Sequence, residues 1–194
     1  MNHPAVNQLE FLSERFRDVL AKHAPPEILV IGCGTGNGLE YIDPKVTSRV
    51  TVIDINEQFL KTLAQRYHRK IPGLEVMHND LHRVEIQPEA YTLVYAGLVF
   101  EFVDPKIVLK TLSQCLRQNG KLEVVLQIPS EDLPTVSSTN IESMKRLKSI
   151  VQLVDIHEFC QLCSDSGMNM VGSCVVTLDS GKSFFRGSFQ KSAV

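Results

Sequence analysis

The sequence lacks the charge imbalance and the long apolar runs that characterise two large classes of protein. Its formal net charge is only −2, whereas a nucleic-acid-binding surface is strongly basic. No apolar run reaches the roughly 20 residues that cross a bilayer, and the polar N-terminus has no signal-peptide pattern. We therefore expect a cytoplasmic protein with neither a nucleic-acid partner nor membrane association.

The sequence also lacks a regular cysteine framework. Its five cysteines are an odd number at irregular spacing, which predicts free thiols in a reducing compartment. Cys160 and Cys163 form a C-x-x-C within a predicted helix, but no second pair stands at zinc-ligand spacing. We therefore expect these two thiols to lie in or beside the core, and we predict no metal site.

The remaining composition is typical of one globular domain. A length of 194 residues is enough to bury a substantial core without disulfides or metals. Hydrophobic residues make up 43% of the chain and charged residues 22%, and we find no repeat, low-complexity tract or clear linker. The sequence thus predicts a single domain over residues 1–194.

Hydrophobic periodicity predicts strands that alternate with helices. The predicted helices cover residues 5–22, 36–42, 57–69, 105–118, 141–150 and a segment that begins at the capping box of Asp155 and ends at Gly167. The predicted strands cover residues 28–31, 49–55, 74–78, 91–96, 121–128, 168–178 and 183–189. Because the last two strands form a hairpin, this order predicts an α/β, doubly wound, mostly parallel sheet with one antiparallel strand and helices on both faces.

Two apolar runs end in residues that suit a nucleoside. The run Ile28–Ile31 stops at glycines 32, 34, 36 and 38, and the run that begins at Val50 stops at Asp54. Glycine has no Cβ, so a ligand can approach its backbone closely. A carboxylate at the tip of the next strand can accept hydrogen bonds from two ribose hydroxyls. Together they predict a pocket for an adenosine-containing cofactor at the carboxyl edge of the sheet.

The glycine spacing excludes the common phosphate-bearing cofactors. The dinucleotide fingerprint G-x-G-x-x-G would need a third glycine at Asn37 or at Leu39. A phosphate loop would need Lys after Gly38, and no Lys or Arg lies between Gly32 and Tyr41. A nicotinamide-dependent oxidoreductase is therefore disfavoured, and the loop indicates an adenosyl ligand without phosphates.

The spacing G-x-G-x-G at Gly32, Gly34 and Gly36 resembles motif I of the class I S-adenosylmethionine-dependent methyltransferases. Further segments of the same family follow in the same order. These are Asp54-Ile55, Met77-His-Asn-Asp80-Leu81, Tyr91–Pro105 and Leu116-Arg-Gln-Asn-Gly120-Lys-Leu. The resemblance implies a Rossmann-like methyltransferase fold with a seven-stranded sheet whose last strand is antiparallel. It also implies S-adenosyl-L-methionine as cofactor and S-adenosyl-L-homocysteine as product.

The resemblance also assigns cofactor contacts. Motif I would hold the methionine moiety, Asp54 the ribose and Ile55 an adenine face. Asp80 would accept from the adenine amino group, with the Leu81 amide at the ring, unless Asp80 is only part of a turn. The cofactor-binding residues implied are Gly32, Cys33, Gly34, Gly36, Asp54, Ile55, Asp80, Leu81, Ala96, Gly97 and Leu98.

Three positions depart from the family pattern. Val30 stands where the family usually has an acid that orients the loop and the cofactor's amino group. Thr92 replaces a common Asp, for which we expect a structural role, and Gln118-Asn119 replaces Pro-Gly in the turn before the fifth strand. Asn tolerates the left-handed backbone that such a turn needs. Of the three, only Val30 bears on cofactor binding.

The methyl acceptor is less well defined by the sequence. Its site is expected beyond the fourth and fifth strands, which makes Phe100, Glu101, Gln127 and Ser130 candidates by position. Glu101 would be a catalytic base for a hydroxyl or amine acceptor; alternatively, it is a carboxylate on a helix surface. No N-P-P-Tyr-type motif follows the fourth strand, so a nucleic-acid base is not expected as the acceptor. We therefore expect a small-molecule methyl acceptor, and the alternative is a non-catalytic cofactor-binding or partner-binding protein on the same fold.

Overall fold

A seven-stranded sheet is the centre of the protein. The computed structural model describes residues 4–129 and 152–192, with side chains from residue 8 onward. The helices are α1 (Pro4–His23), α2 (Glu57–Tyr67), α3 (Pro105–Cys115) and α4 (Ile156–Asp165), with a short 3-10 helix at Leu39–Tyr41. The strands are β1 (Glu27–Ile31), β2 (Arg49–Asp54), β3 (Leu74–His78), β4 (Tyr91–Gly97), β5 (Leu116–Gln127), β6 (Met168–Thr177) and β7 (Ser183–Lys191).

The strand order confirms the predicted doubly wound sheet. The order is β3-β2-β1-β4-β5-β7-β6, and β7 runs antiparallel to both of its neighbours while the other neighbouring strands pair in parallel. The chain reverses its direction of winding between β1 and β4. In open α/β sheets a ligand binds at such a switch point, outside the carboxyl ends of the strands.

Side-chain caps begin three of the helices, including the helix predicted to begin at Asp155. Asn56 accepts hydrogen bonds from the backbone N–H groups of residues 58 and 59 at the start of α2. Asp104 accepts from the N–H of residue 106 and is followed by Pro105 in the first turn of α3. Asp155 accepts from the N–H of Glu158 at the start of α4. Each cap satisfies backbone donors that have no partner within the helix.

Two apolar clusters cover the central strands, one on each face of the sheet. On the first face, Phe16 of α1 packs on Tyr95 of β4 with ring centroids 4.8 Å apart, and Val30 belongs to the same cluster. On the second face, Phe100 and Phe159 pack edge-to-face at 4.8 Å. None of the helices in the described residues is long and apolar enough to cross a membrane.

The structure corrects several predicted boundaries. The helix predicted over residues 36–42 is only the 3-10 turn Leu39–Tyr41, because Gly36 and Gly38 adopt φ of +86° and +89° and cannot continue a right-handed helix. The helix predicted over 105–118 ends at Cys115, since Leu116 already pairs with Tyr91 in the sheet. The helix predicted over 141–150 lies outside the described residues.

The expectation that helices cover both faces of the sheet is wrong for β6. Its residues from 169 to 175 are exposed, and Met170, Val171 and Val175 are each more than half exposed. Among the described residues, β6 is an edge strand that pairs only with β7, and the described helices leave it largely uncovered.

Candidate cofactor-binding site

The glycines of the loop after β1 serve different purposes. A Cβ on Gly32 would lie 2.6 Å from Cγ2 of Val99, and one on Gly36 would lie 2.7 Å from the Tyr67 ring. These two glycines therefore allow close packing inside the protein. Gly34 is different, because its φ is +54° and a Cβ would meet nothing within 4 Å. Its bare backbone faces open space, which is what a ligand lying against the main chain requires.

Asp54 lies beside this open position. Its Oδ2 accepts a hydrogen bond from the Gly34 N–H at 2.8 Å, and its Oδ1 accepts from the Asn56 N–H at 2.8 Å. The carboxylate thus joins the glycine loop to the start of α2. A carboxylate has about four lone-pair positions, so two remain for hydroxyl donors from a ligand.

The residues predicted to hold adenine lie along the same edge of the sheet. Ile55 follows β2 and is 69% exposed, which makes it an apolar platform at the edge. The backbone N–H of residue 79 donates to the carbonyl of Asp54 and brings the end of β3 next to the end of β2. Asp80 Oδ1 accepts from the N–H and the Nδ1 of His82, and these bonds lower the pKa of Asp80. Leu81 is buried in the core.

The three residues predicted at the end of β4 occupy different environments. The Ala96 side chain is fully buried in the core on the α3 face, so its backbone is the part nearest the edge. Gly97 lines the cleft described below. Leu98 has a φ of +56°, which is uncommon for a residue with a large side chain. Backbone strain of this kind concentrates at functional sites.

A cleft of ≈ 190 Å³ opens at the switch point between β1 and β4. It is lined by Leu9, Leu12, Val30, Ile31, Gly32, Cys33, Gly34, Thr35, Asn37, Tyr95 and Gly97. Four of the predicted cofactor-binding residues therefore meet in the cleft, whereas the two aspartates and the adenine-edge residues lie outside its lining. Sequence reasoning missed Leu9 and Leu12, which α1 contributes from a distant part of the chain. Burial raises the pKa of the Cys33 thiol to about 12, so this cysteine is not a thiolate nucleophile.

The replacement of the family's acid by Val30 leaves an apolar wall. Val30 is 7% exposed and is paired across the sheet with Tyr95, and among the described residues that line the cleft none is charged. The other replacement has a structural role, as expected: Thr92 Oγ1 donates to the Glu27 carbonyl at 2.9 Å. The open backbone at Gly34 and the neighbouring carboxylate of Asp54 fit a nucleoside joined to an amino acid, without a carboxylate at position 30.

Glu101 is buried, and the alternative that placed it on a helix surface is wrong. The residue is 4% exposed and follows β4. Its Oε1 accepts from the Gln127 N–H at 2.8 Å, while its buried Oε2 has no hydrogen-bond partner among the described residues. Burial raises the pKa of Glu101 to about 7. Of the other acceptor candidates, Phe100 packs in the core and Ser130 lies outside the described residues.

Known proteins resemble this chain in sequence and in fold. A family model described as "Methyltransferase domain" matches residues 29–124. The malonyl-[acyl-carrier protein] O-methyltransferase of Halalkalibacterium halodurans is 30% identical over 119 residues, which are 59% of this chain and 43% of that protein. The chain therefore spans less than half the length of this curated relative.

Solved structures share the whole fold at low identity. An S-adenosylmethionine-dependent methyltransferase from Mesorhizobium loti superposes with a TM-score of 0.76 at 17% identity, covering 94% of this chain and 99% of that chain. The N-methyltransferase NodS from Bradyrhizobium japonicum, in complex with S-adenosyl-L-homocysteine, gives a TM-score of 0.71 at 15% identity, covering 99% of this chain and 90% of that one. At these identities the likeness establishes the fold alone.

Proposed function

Because the chain belongs to the class I S-adenosylmethionine-dependent methyltransferase family, we propose that it binds S-adenosyl-L-methionine and transfers the methyl group to a small-molecule acceptor. The observation that carries the proposal is the pairing of Gly34 with Asp54. The glycine leaves open space against its backbone, and the aspartate is hydrogen-bonded to it at 2.8 Å.

The positions of the predicted site residues support a specific set of cofactor contacts. Gly32–Gly34 would hold the amino-acid end of the cofactor, Asp54 would accept hydrogen bonds from the ribose hydroxyls, and Ile55 would pack against adenine. Asp80 and Leu81 would bound the adenine from the neighbouring strand end, and the backbone of residues 96–98, at and just after the end of β4, would bound the reacting end. Val30 contributes only apolar surface, so no carboxylate at position 30 would hold the cofactor's amino group.

The protein mainly positions and shields the reaction. When bound, S-adenosylmethionine supplies an electrophilic methyl group on a positively charged sulfur. Leu9, Leu12 and Val30 keep the wall of the cleft apolar, which limits access of water to that region. Alignment of an acceptor in such a site can contribute up to about 7–11 kcal/mol through effective concentration.

Glu101 is our candidate for the catalytic base. A hydroxyl or amine acceptor would lose a proton as its bond to the methyl carbon forms and the carbon–sulfur bond breaks, with the electron pair left on the sulfur of S-adenosyl-L-homocysteine. The carboxylate of Glu101 would take that proton. The unpartnered Oε2 and a pKa of about 7 both support this role, because a base works best when its pKa lies near the working pH.

A pair of glycine variants tests cofactor binding. Gly34 and Gly167 both have positive φ, and a Cβ at either would meet nothing within 4 Å, so alanine imposes similar backbone strain at both. Gly167 follows α4, whereas Gly34 lines the cleft. We expect Gly34→Ala to weaken binding of S-adenosyl-L-homocysteine at least about tenfold in calorimetry, and Gly167→Ala to leave it unchanged. Equal affinities for the two variants would contradict the proposed site.

Methyl transfer is tested separately with cofactor that carries a deuterated methyl group. The purified chain is incubated with a metabolite extract, and mass spectrometry searches for products that gain the label. Methyl transfer by the wild-type chain that is lost in Gly34→Ala would support methyltransferase activity at the proposed site. Tight binding of the cofactor without transfer to any component of a broad acceptor panel would favour the non-catalytic alternative.

A further inference from the structure

Buried donors without partners cluster on one face of the sheet under α1. Tyr95 Oη, Arg15 Nε and Arg186 Nε are each buried, and none has a hydrogen-bond partner within the described residues. Arg15 and Arg186 both act electrostatically on the Tyr95 hydroxyl, so the three groups share one neighbourhood. A buried donor without a partner is energetically costly, and three together indicate a ligand that accepts hydrogen bonds.

The strand register places this cluster next to the cofactor cleft. Tyr95 lines the cleft, and a Cβ on Gly97 would lie 3.4 Å from the Tyr95 Oη. Gly97 pairs with Val125, which in turn pairs with Arg186. Since neighbouring strands lie about 4.8 Å apart, the backbones of Gly97 and Arg186 are about 10 Å apart, with Val125 between them.

The side chains of Tyr95 and Arg186 lie on the same face of the sheet. Tyr95 packs against Phe16 of α1, and Arg186 Nη2 lies 4.0 Å from Asp18 Oδ2, also on α1. The side chain of Val125 is fully buried between the strands that carry them. The row of paired residues therefore runs from Gly97, which lines the cleft, to Arg186, with the Val125 side chain between them and α1 packed on the same face of the sheet.

The local charge is positive. Glu123 is the buried acid of this region, but its Oε1 already contacts His23 Nε2 at 2.7 Å and Lys22 Nζ at 3.5 Å, and its Oε2 pairs with Arg15. These partners outweigh desolvation and lower the pKa of Glu123, so it remains ionised. Within the described residues, the Arg186 side chain has only the distant Asp18 as a counter-charge, and its buried Nε has no hydrogen-bond partner. An anionic group is therefore favoured here, and an ammonium group is repelled.

We propose that Tyr95 and Arg186 form a carboxylate subsite for the methyl acceptor, so that the acceptor carries a carboxylate close to the methylated atom. The proposal rests on the proposed function, because it places the acceptor relative to the cofactor cleft. Arg186 presents a planar fork of donors that matches the two oxygens of a carboxylate, and Tyr95 adds a third donor. Burial raises the pKa of Tyr95 well above its ordinary value, so the hydroxyl keeps its proton and donates it.

The test uses the full chain saturated with S-adenosyl-L-homocysteine and titrated with malonate at constant ionic strength. Malonamide serves as the uncharged control of similar shape. A polar cavity that merely holds water would bind malonate and malonamide equally, whereas a carboxylate subsite would prefer malonate. We expect malonate to bind at least about tenfold more tightly than malonamide. We expect Arg186→Gln to weaken malonate binding about tenfold or more, Arg186→Lys to weaken it less, and Tyr95→Phe to weaken it several-fold.

Two control variants remove a guanidinium and a tyrosine hydroxyl at positions outside the proposed subsite. Arg117→Gln removes an arginine that pairs with Glu27 at 3.0 Å, and Tyr91→Phe removes a buried hydroxyl that donates to Thr51 at 2.8 Å. Both should leave malonate binding unchanged. Equal binding of malonate and malonamide, undetectable malonate binding, or unchanged binding in Arg186→Gln would each overturn the subsite. In those cases the cofactor product still binds, whereas failure of the wild-type chain to bind S-adenosyl-L-homocysteine would overturn the proposed function and the subsite together.

Discussion

Glu101 should make the protein less stable as the pH rises, and replacing it by glutamine should remove that effect. Burial raises the pKa of Glu101 from 4.5 to about 7 in the folded protein. Between these two values the folded state holds a proton that the unfolded state has lost. The free energy of unfolding therefore falls as the pH rises through this interval and becomes level above about pH 7.

The size of the effect follows from the pKa shift. One pKa unit corresponds to about 1.4 kcal/mol, so the shift of Glu101 predicts a loss of up to about 3 kcal/mol between pH 4.5 and pH 8. Glutamine is uncharged over this whole pH range. Its carbonyl can still accept the hydrogen bond from the Gln127 N–H, which Glu101 accepts at 2.8 Å, so the shape of the site is retained.

Urea unfolding followed by circular dichroism at pH 5, 6, 7 and 8 measures this difference. We expect the stability of Glu101→Gln relative to the wild type to rise by up to about 3 kcal/mol from pH 5 to pH 8. Glu75→Gln is a control of opposite sign, because the hydrogen bond from Arg49 lowers the pKa of Glu75. That variant should lose stability at neutral pH, and the loss should shrink as the pH falls. Parallel pH profiles for the wild type and Glu101→Gln would refute the reasoning.

Three further substitutions probe the cleft and the core. Asp54→Asn should weaken binding of S-adenosyl-L-homocysteine about tenfold or more, because the amide places an NH2 group against a backbone donor such as the Gly34 N–H; unchanged affinity in calorimetry would contradict this role. Gly36→Ala should lower the free energy of unfolding by about 1–3 kcal/mol, since the new Cβ would lie 2.7 Å from a tyrosine ring, and an unaltered urea midpoint would argue against that clash. Arg15→Met should cost about 3 kcal/mol or more because it leaves the buried Glu123 without its arginine, and a stabilised variant would show that this ion pair is dispensable.

The family and the fold could be predicted because their signals are local or ordered along the chain. Glycines at fixed spacing after one apolar run, and Asp54 after the next, mark the carboxyl ends of neighbouring strands. The match of residues 29–124 confirms the family, and the strand order confirms the predicted sheet with its antiparallel last strand. The assignment of individual cofactor contacts stays a prediction.

Other parts of the site depend on contacts between distant residues. Leu9 and Leu12 belong to an amphipathic helix, and their sequence periodicity does not show that they border a cleft beside Gly97. Glu101 follows β4 in an irregular segment, where no periodicity distinguishes a buried side chain from an exposed one. The Glu101 carboxylate is held inside the protein, where it accepts a hydrogen bond from the Gln127 N–H at the end of β5.

The proposed subsite under α1 also depends on contacts between residues that are distant in the sequence. Tyr95 and Arg186 are 91 positions apart in the chain and become neighbours only through the pairing of β4, β5 and β7. The alternation of side chains along a strand predicts which face each residue shares with its own neighbours, but not which strands lie side by side. The register between strands is a property of the folded sheet, and only this register places Arg186 two strands away from Gly97.

A crystal structure of the chain grown with S-adenosyl-L-homocysteine tests the central claim most directly. The account predicts the amino-acid end of the ligand against the bare backbone of Gly34 and both ribose hydroxyls within hydrogen-bonding distance of Asp54. A ligand bound elsewhere, or a cleft that stays closed to saturating ligand, would contradict it.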